Sequence, residues 1–262
     1  MPELPDVEGF RRVLDECGRG RRIAHVGIAD ASVLHDVTAP RLRKALKGRR
    51  LAEPERRGKW LVARTEGPTA LMHFGMTGRL VCQHPDDLPD RHDRVTFGLD
   101  DRHELRYRDQ RKLKGIWLAA TEDDIGRVIG EQGPDALHVT RAQLDELLTG
   151  RRARVKSVLT DQTALAGLGN LLADEILWRA HIRPARPAGD LGAAERRRLA
   201  EAMRQVLRTS VRAGRVPPRQ DWLTGHRDAD EPRCPRSHGP LHRDRVGGRG
   251  TVWCPVCQRD PD

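Results

Sequence analysis

The chain opens Met1-Pro2-Glu3-Leu4-Pro5. An initiator Met followed by a small residue such as Pro is normally removed, which leaves Pro2 as a free secondary amine. An α-amino group titrates near 7.7–8.0 against about 10.4 for lysine, so far more of it is neutral at pH 7. The proline amine is more basic than that average, which makes this advantage an upper value. A neutral amine attacks an electrophilic sugar carbon. Being secondary, it then forms an iminium that cannot shed its charge by losing a nitrogen proton, a persistent electron sink for elimination. Glu3 stands beside it as a proton donor or acceptor. Taken alone, the same residues also make a plain helix start, with prolines and acids suited to the first turn.

A second set of chemical residues closes the sequence. Cys254-Pro-Val-Cys257 is a C-x2-C knuckle after Gly248-Arg249-Gly250-Thr251-Val252-Trp253, and upstream stands Cys234-Pro-Arg-Ser-His238. Two chelating pairs separated by a hairpin-length spacer are what a tetrahedral zinc ribbon needs. A tail too small for its own core gains its fold from such a metal. Cys234, Cys254 and Cys257 supply three ligands; His238 is the first choice for the fourth and His242 the alternative. With four protein ligands, one zinc ion here is structural. The five cysteines are an odd count with three in this tail, a pattern of metal binding rather than a disulfide framework. Cys17 and Cys82 read as small buried residues.

The elements that must position these groups fall into an α+β pattern. Leu4, Val7, Phe10 and Leu14 share one helical face. Short β-rich segments follow at 23–28, 60–65, 70–74, 79–82, 94–99, 103–107 and 115–119, separated by Gly, Pro and Asp, the spacing of a sandwich or barrel. Residues 120–135 read as an acidic linker. Beyond it, Leu144, Leu147 and Leu148 make one helical stripe and Leu199, Met203, Val206 and Leu207 another. The reading is an N-terminal β-sandwich domain over 1–119, a linker over 120–135, a helical domain over 136–229 and a zinc finger over 230–258.

Charge narrows the partners. The 262 residues carry 48 Lys+Arg against 38 Asp+Glu, a net +10, which points to a polyanion: nucleic acid first, an anionic membrane surface second. One Tyr and three Phe exclude a large aromatic stacking platform. No apolar run is long enough to span a bilayer, and the start lacks the regions of a signal peptide, so a cytoplasmic, nucleoid-associated monomer is expected.

The start MPELPDVEGFRR, the strand HFGMTGRL (73–80), the segment DQTALAGLGNLLADEILWRAHIRP (161–184) and the end GRGTVWCPVCQ (248–258) occur in that order and together resemble the formamidopyrimidine-DNA glycosylase/endonuclease VIII family of base-excision repair enzymes. The resemblance covers nearly the whole chain. It implies a glycosylase that also cleaves abasic sites in double-stranded damaged DNA by β,δ-elimination. Pro2 matches the Schiff-base nucleophile, Glu3 the general acid, Lys59 a lysine that contacts the lesion's phosphate and assists elimination, and Arg249 a zinc-finger arginine on a phosphate. Met76 and Arg111, with Leu113, match residues pushed into the duplex where the damaged nucleotide leaves; an enzyme acting on a stacked base must flip it out. His92 and Arg151 match further DNA contacts. The stretch from Val155-Lys156-Ser157 to Glu175 matches a helix–two-turn–helix element that binds DNA through Lys156 and Asn170. The turn Gly167-Leu168-Gly169-Asn170 has its own logic: glycines admit a phosphate, a helix N-terminus favours the anion, and Asn170 adds a donor.

Three departures bear on which base is removed. The family's D-P-R-R-F-G-like stretch is Asp109-Gln110-Arg111-Lys112-Leu113-Lys114-Gly115 here, with Leu for the stacking Phe and one extra residue. Residues 213–230 are too few to form fully the loop that in purine-directed members covers a flipped oxidised purine. Leu171-Leu172 stands where purine-directed members have Ile-Tyr. Oxidised purines (formamidopyrimidine, 8-oxoguanine) are the first expectation and oxidised pyrimidines the second. A non-catalytic reader of damaged DNA is a rival that Pro2, Glu3 and Lys59 argue against. A zinc-ribbon protein binding nucleic acid structurally leaves the Pro-Glu start unexplained.

Overall fold

Pro5 sits in the first turn of helix α1 (Leu4–Gly18), where a missing N–H costs no hydrogen bond. The Asp6 carboxylate accepts the Glu3 backbone N–H at 2.9 Å and closes the helix start. Leu4, Val7 and Leu14 form its buried stripe, with Phe10 packed at the rim of the same core, as the spacing predicts.

These features come from a computed structural model that describes residues 1–260. Eight strands follow α1: β1 (Ile23–Ile28), β2 (Glu55–Arg57), β3 (Trp60–Ala63), β4 (Thr69–His73), β5 (Arg79–Gln83), β6 (Asp93–Leu99), β7 (Glu104–Arg108) and β8 (Ile116–Ala119). They pair antiparallel into two four-stranded sheets, in the orders β1-β6-β7-β5 and β2-β3-β4-β8. Val26, Leu61, Met72, Phe97 and Tyr107 from both sheets meet α1 in one core. Each of the seven segments read as β-rich is a strand. Strand β2 and helix α2 (Ala39–Leu46) escape sequence reading. Glu55-Arg56-Arg57 has no apolar alternation, and α2 buries only Leu42 and Leu46 among charged neighbours.

The stretch read as a linker holds a helix. Thr121 and Asp124 form a capping box that starts α3 (Glu122–Ile129), and Ile125 and Ile129 pack on Trp60, Val62 and Leu71 of the second sheet. The first compact unit therefore runs from Met1 to Glu131.

The second unit starts at Gln132. It contains α4 (Arg141–Leu148), α5 (Val155–Thr160), α6 (Asn170–Arg179), α7 (Ala193–Ala213) and a hairpin of β9 (His242–Val246) and β10 (Arg249–Trp253). Helix α6 is buried continuously from Leu172 to Trp178, in contact with α5, α7 and β10. This combination is the α+β architecture expected: a sandwich led by a helix, then helices with a terminal strand pair.

Cys17 and Cys82 correct the sequence reading. They are joined by a disulfide between α1 and β5, with Cα atoms 6.2 Å apart, and neither is fully buried. Their separation of 65 residues hides the pairing from any reading of spacing.

Candidate nucleic-acid interface and metal centre

Pro2 is half-exposed ahead of α1, and Glu3 directly behind it is fully buried at the helix cap. Lys59 lies half-buried in the tight turn from β2 to β3, which Gly58 makes with a φ of +57°. Arg56, buried to 5% side-chain exposure, fixes that turn against α1: its Nε donates to Glu8 Oε2 at 3.3 Å and its Nη1 donates to Gly58 O at 2.9 Å. One guanidinium thus spans from the second turn of α1 to the backbone beside Lys59. His73, at the end of β4, also feels Lys59. Burial first, then the Lys114 and Lys59 ammoniums, hold its pKa down at about 4, so its ring is neutral at pH 7. Its Nδ1 accepts the Gly75 N–H at 3.1 Å, which leaves the hydrogen on Nε2.

Met76 is not a core residue. It stands 40% exposed at the tip of the β4–β5 turn, and Leu113 is 50% exposed on the β7–β8 loop. The two tips are side by side, since a Cβ on Gly75 would lie 3.5 Å from Leu113 Cβ. Thr77 binds them together. Its hydroxyl donates to Asp109 Oδ1 at 2.5 Å and accepts the Arg111 N–H at 3.0 Å. Arg111 itself is exposed. His92 joins from the β5–β6 loop: its carbonyl accepts the Asp109 N–H at 2.9 Å, and its Nδ1 lies 3.1 Å from Asp90. The structure therefore brings Met76, Arg111, Leu113 and His92 into one set of loops. Thr77 and Asp109, which hold it, carry no signal that sequence reading used.

In the second unit, Asn170 is the first residue of α6, behind Gly169 and behind Gly167 at a φ of +104°. Gln162 buttresses this turn, accepting the Gly167 N–H at 3.0 Å and donating to Leu168 O at 2.9 Å. Asn170 Oδ1 is buried without a hydrogen-bond partner among the described residues. Exposed Arg151 precedes α5.

Lys156 departs from its sequence reading as a DNA-contacting side chain. It has no exposed surface, and its ammonium reaches Asp174 at 2.6 Å, Thr251 Oγ1 at 2.7 Å and Gly250 O at 3.0 Å. Asp174 also receives Arg227 at 3.1 Å and the Val252 N–H at 3.2 Å. Lys156 is thus the α5 arm of a buried network that clamps β10 onto α6. Arg249 sits exposed at the start of β10, with Nη2 donating to Thr160 O at 3.4 Å over the end of α5. The hairpin turn rests on α5 so closely that a Cβ on Gly247 would meet Ser157 Oγ at 2.3 Å.

Cys234, His238, Cys254 and Cys257 present ligand atoms within 4.8 Å of one another. Tetrahedral zinc with Zn–S bonds of about 2.3 Å sets its sulfurs about 3.8 Å apart; Cys234 Sγ and Cys257 Sγ are separated by 3.7 Å. His238 Nδ1 faces Cys257 Sγ at 3.0 Å, and the Cys257 N–H donates to Cys254 Sγ at 3.4 Å, as in a metal-binding knuckle. The donor set fits one structural zinc ion. His242 lies outside the group, its ring edge-on to Trp253 at 5.4 Å. Trp178 of α6 shares a buried cluster with the three cysteines, so the Cys/His group is packed on the helical domain.

A sandwich, a helix opened by a glycine turn and a Cys/His hairpin are the parts of a nucleic-acid-handling α+β protein. Residues 1–116 match the formamidopyrimidine-DNA glycosylase N-terminal domain and residues 132–219 its H2TH domain. The formamidopyrimidine-DNA glycosylase of Pelotomaculum thermopropionicum is 36% identical over 99% of this chain and 99% of its own. That of Symbiobacterium thermophilum is 38% identical over 100% of this chain and 90% of its own. Among solved structures, the Lactococcus lactis formamidopyrimidine-DNA glycosylase bound to DNA with an abasic site superposes with a TM-score of 0.88 at 27% identity, covering 99% of this chain and 100% of that one. The chain belongs to the formamidopyrimidine-DNA glycosylase family of DNA-repair glycosylases.

Proposed function

We propose that this chain excises oxidised and ring-opened purines from duplex DNA and then cleaves the strand at the vacated sugar, with the Pro2 amine as nucleophile. The observation that carries the reading is the placement of half-exposed Pro2 before buried Glu3 at the α1 cap, with Arg56 bringing the Lys59 turn to the same helix. The family's names support the substrate class, and the Lactococcus relative has also been solved with formamidopyrimidine-containing DNA.

With Met1 removed, the Pro2 nitrogen attacks C1′ of the damaged nucleotide. The bond from C1′ to the base breaks, and its electron pair leaves with the base, which takes up a proton. Opening of the sugar ring gives an iminium between Pro2 and C1′, with Glu3 moving the proton to the ring oxygen. Loss of a C2′ proton expels the 3′ phosphate, a second elimination expels the 5′ phosphate, and water releases Pro2. Lys59 stabilises the phosphate as it leaves. Met76, Arg111 and Leu113 fill the stack that the flipped nucleotide vacates. His92, Arg151, Asn170 and Arg249 hold phosphates. Zinc on Cys234, His238, Cys254 and Cys257 supplies structure and no step of the reaction. The expected partner is damaged duplex DNA bound by a monomer.

A second reading, oxidised pyrimidines, draws on the segment after α7. Trp222 and Leu223 are buried there, which leaves less of it to cover a flipped purine.

The test is borohydride trapping on duplexes carrying 8-oxoguanine, dihydrouracil or an abasic site, using protein whose first residue is verified as Pro2 by mass. A covalent adduct that peptide mass analysis maps to the Pro2 nitrogen is expected, strongest on 8-oxoguanine among the two bases. An adduct mapped to any residue other than Pro2 would remove Pro2 from the chemistry, and a preference for dihydrouracil would move the substrate to the pyrimidine side.

A further inference from the structure

We propose that Cys17 and Cys82 are a reversible redox site, opened and closed by a small cysteine-derived thiol, that fixes the strand carrying the Met76 turn. The inference stands apart from the Pro2 mechanism, since the exchange needs no DNA.

Access is the first ground. The two cysteines are only half-buried, and both line an open recess of about 510 Å³ with Glu16, Arg21, Asp101 and His103. Thiol–disulfide exchange requires a thiolate to reach one sulfur in line, so a sulfur at a recess exchanges where an enclosed one does not. The recess is lined by both signs of charge: Arg21 lies 3.1 Å from Asp101. That lining suits a small thiol bearing ammonium and carboxylate groups.

Position is the second. The bond ties the last turn of α1, the helix that Pro2 and Glu3 begin, to β5. Strand β5 is at an edge of its sheet, paired with β7 alone, and its first residue follows the Met76 turn directly. An edge strand held on one side opens more readily than a central one, so a covalent tie there restrains the turn that precedes it. The other three cysteines are grouped in the metal centre, which leaves this pair to each other.

The balance is a two-electron exchange. A small thiolate attacks one sulfur, the Cys17–Cys82 bond breaks, and the other cysteine leaves as a thiolate. A second small thiolate attacks the mixed disulfide, freeing the protein dithiol and one small disulfide. Run backward, the small disulfide oxidises the dithiol and is reduced to two thiols.

The test equilibrates the zinc-bound protein in mixtures of reduced and oxidised glutathione. Acid quenching, alkylation and peptide mass analysis then give the fraction of Cys17–Cys82 disulfide. Hydrogen exchange is followed on both forms and on Cys17→Ser and Cys82→Ser. The expected result is a disulfide fraction that passes through one half within the accessible range of mixtures. Exchange across 76–83 should be about ten-fold faster in the reduced protein and in both variants. A bond that persists until a strong dithiol is added, or never forms, overturns the proposal. So does equal exchange across 76–83 in the two forms.

Discussion

At the scale of single residues, burial changes what a side chain is for. Asp6 is the clearest titrating case. Burial pushes its pKa up to about 6 from an ordinary 3.8, the Glu3 carboxylate adding to the rise, while the Glu3 backbone N–H it accepts pulls the other way. Between those two values the folded chain holds a proton that the unfolded chain has lost. The contribution of Asp6 to stability is therefore full below 3.8, falls as pH climbs through this window, and levels off above 6. Asp6→Asn keeps an acceptor for the Glu3 N–H and removes the charge. We expect its thermal midpoint to match the parent near pH 4 and to exceed it increasingly up to neutrality, with a ceiling of about 3 kcal/mol from the shift. A pH-independent difference between the two would show that this carboxyl does not hold its proton. Lys156 illustrates the same point without titration: lysine's ordinary fate is exposure, so nothing in its type or spacing announces a partner eighteen residues on, at Asp174.

At the scale of elements, the loops bearing Met76 and Leu113 act as one because a single hydroxyl joins them. Thr77 donates to Asp109 at 2.5 Å and accepts from Arg111 at 3.0 Å, while Asp109 is only 1% exposed. Thr77→Val keeps the shape and deletes both bonds, leaving Asp109 Oδ1 with the Arg111 N–H at 3.2 Å. Losing one hydrogen bond to a charged group costs about 1.5–3 kcal/mol. We expect a lower thermal midpoint, about ten-fold weaker binding to an abasic-site duplex, and recovery of both in Thr77→Ser. Val binding as well as Ser would show that the tips are positioned without this bond. The loops themselves were legible in sequence, because glycine turns and alternating strands announce them: β3 to β8 and α1 follow their apolar periods. What stayed hidden has no period. Strand β2 is three charged residues, and the Thr121–Asp124 capping box of α3 was masked by an acidic, Gly- and Pro-bearing composition. The Cys234, His238, Cys254 and Cys257 group was legible because chelation needs a fixed local spacing. The Cys17–Cys82 bond was not, because it joins residues that only the packing of α1 on β5 brings together.

At the scale of the whole molecule, the charge of +10 measures how strongly the chain holds a polyanion, but only exposed cations count. Each phosphate neutralised releases condensed counterions, and log K falls against log salt with a slope of about −0.9 per contact. Many of the arginines are committed to acids of the protein: Arg108 to Asp93, Arg64 to Glu55 and Glu122, Arg227 to Asp174. Arg151 and Arg249 are exposed and carry no ion pair with a described acid. We expect Arg151→Ala and Arg249→Ala each to reduce the slope for undamaged duplex by about one. Asn170→Ala should weaken binding at every salt concentration and leave the slope alone, since a neutral amide displaces no counterion. Lys156→Met separates charge from architecture. Its ammonium touches no solvent and so releases no counterion, yet its loss strands Asp174 beside a single remaining arginine. Breaking one arm of such a buried pair costs about 3–5 kcal/mol. The expected outcome is therefore a large fall in thermal midpoint with the salt slope of the folded protein unchanged, measured below that midpoint by fluorescence anisotropy. A slope reduced by one in Lys156→Met would mean that this lysine meets a phosphate in the complex, and that the clamp on β10 opens when DNA binds.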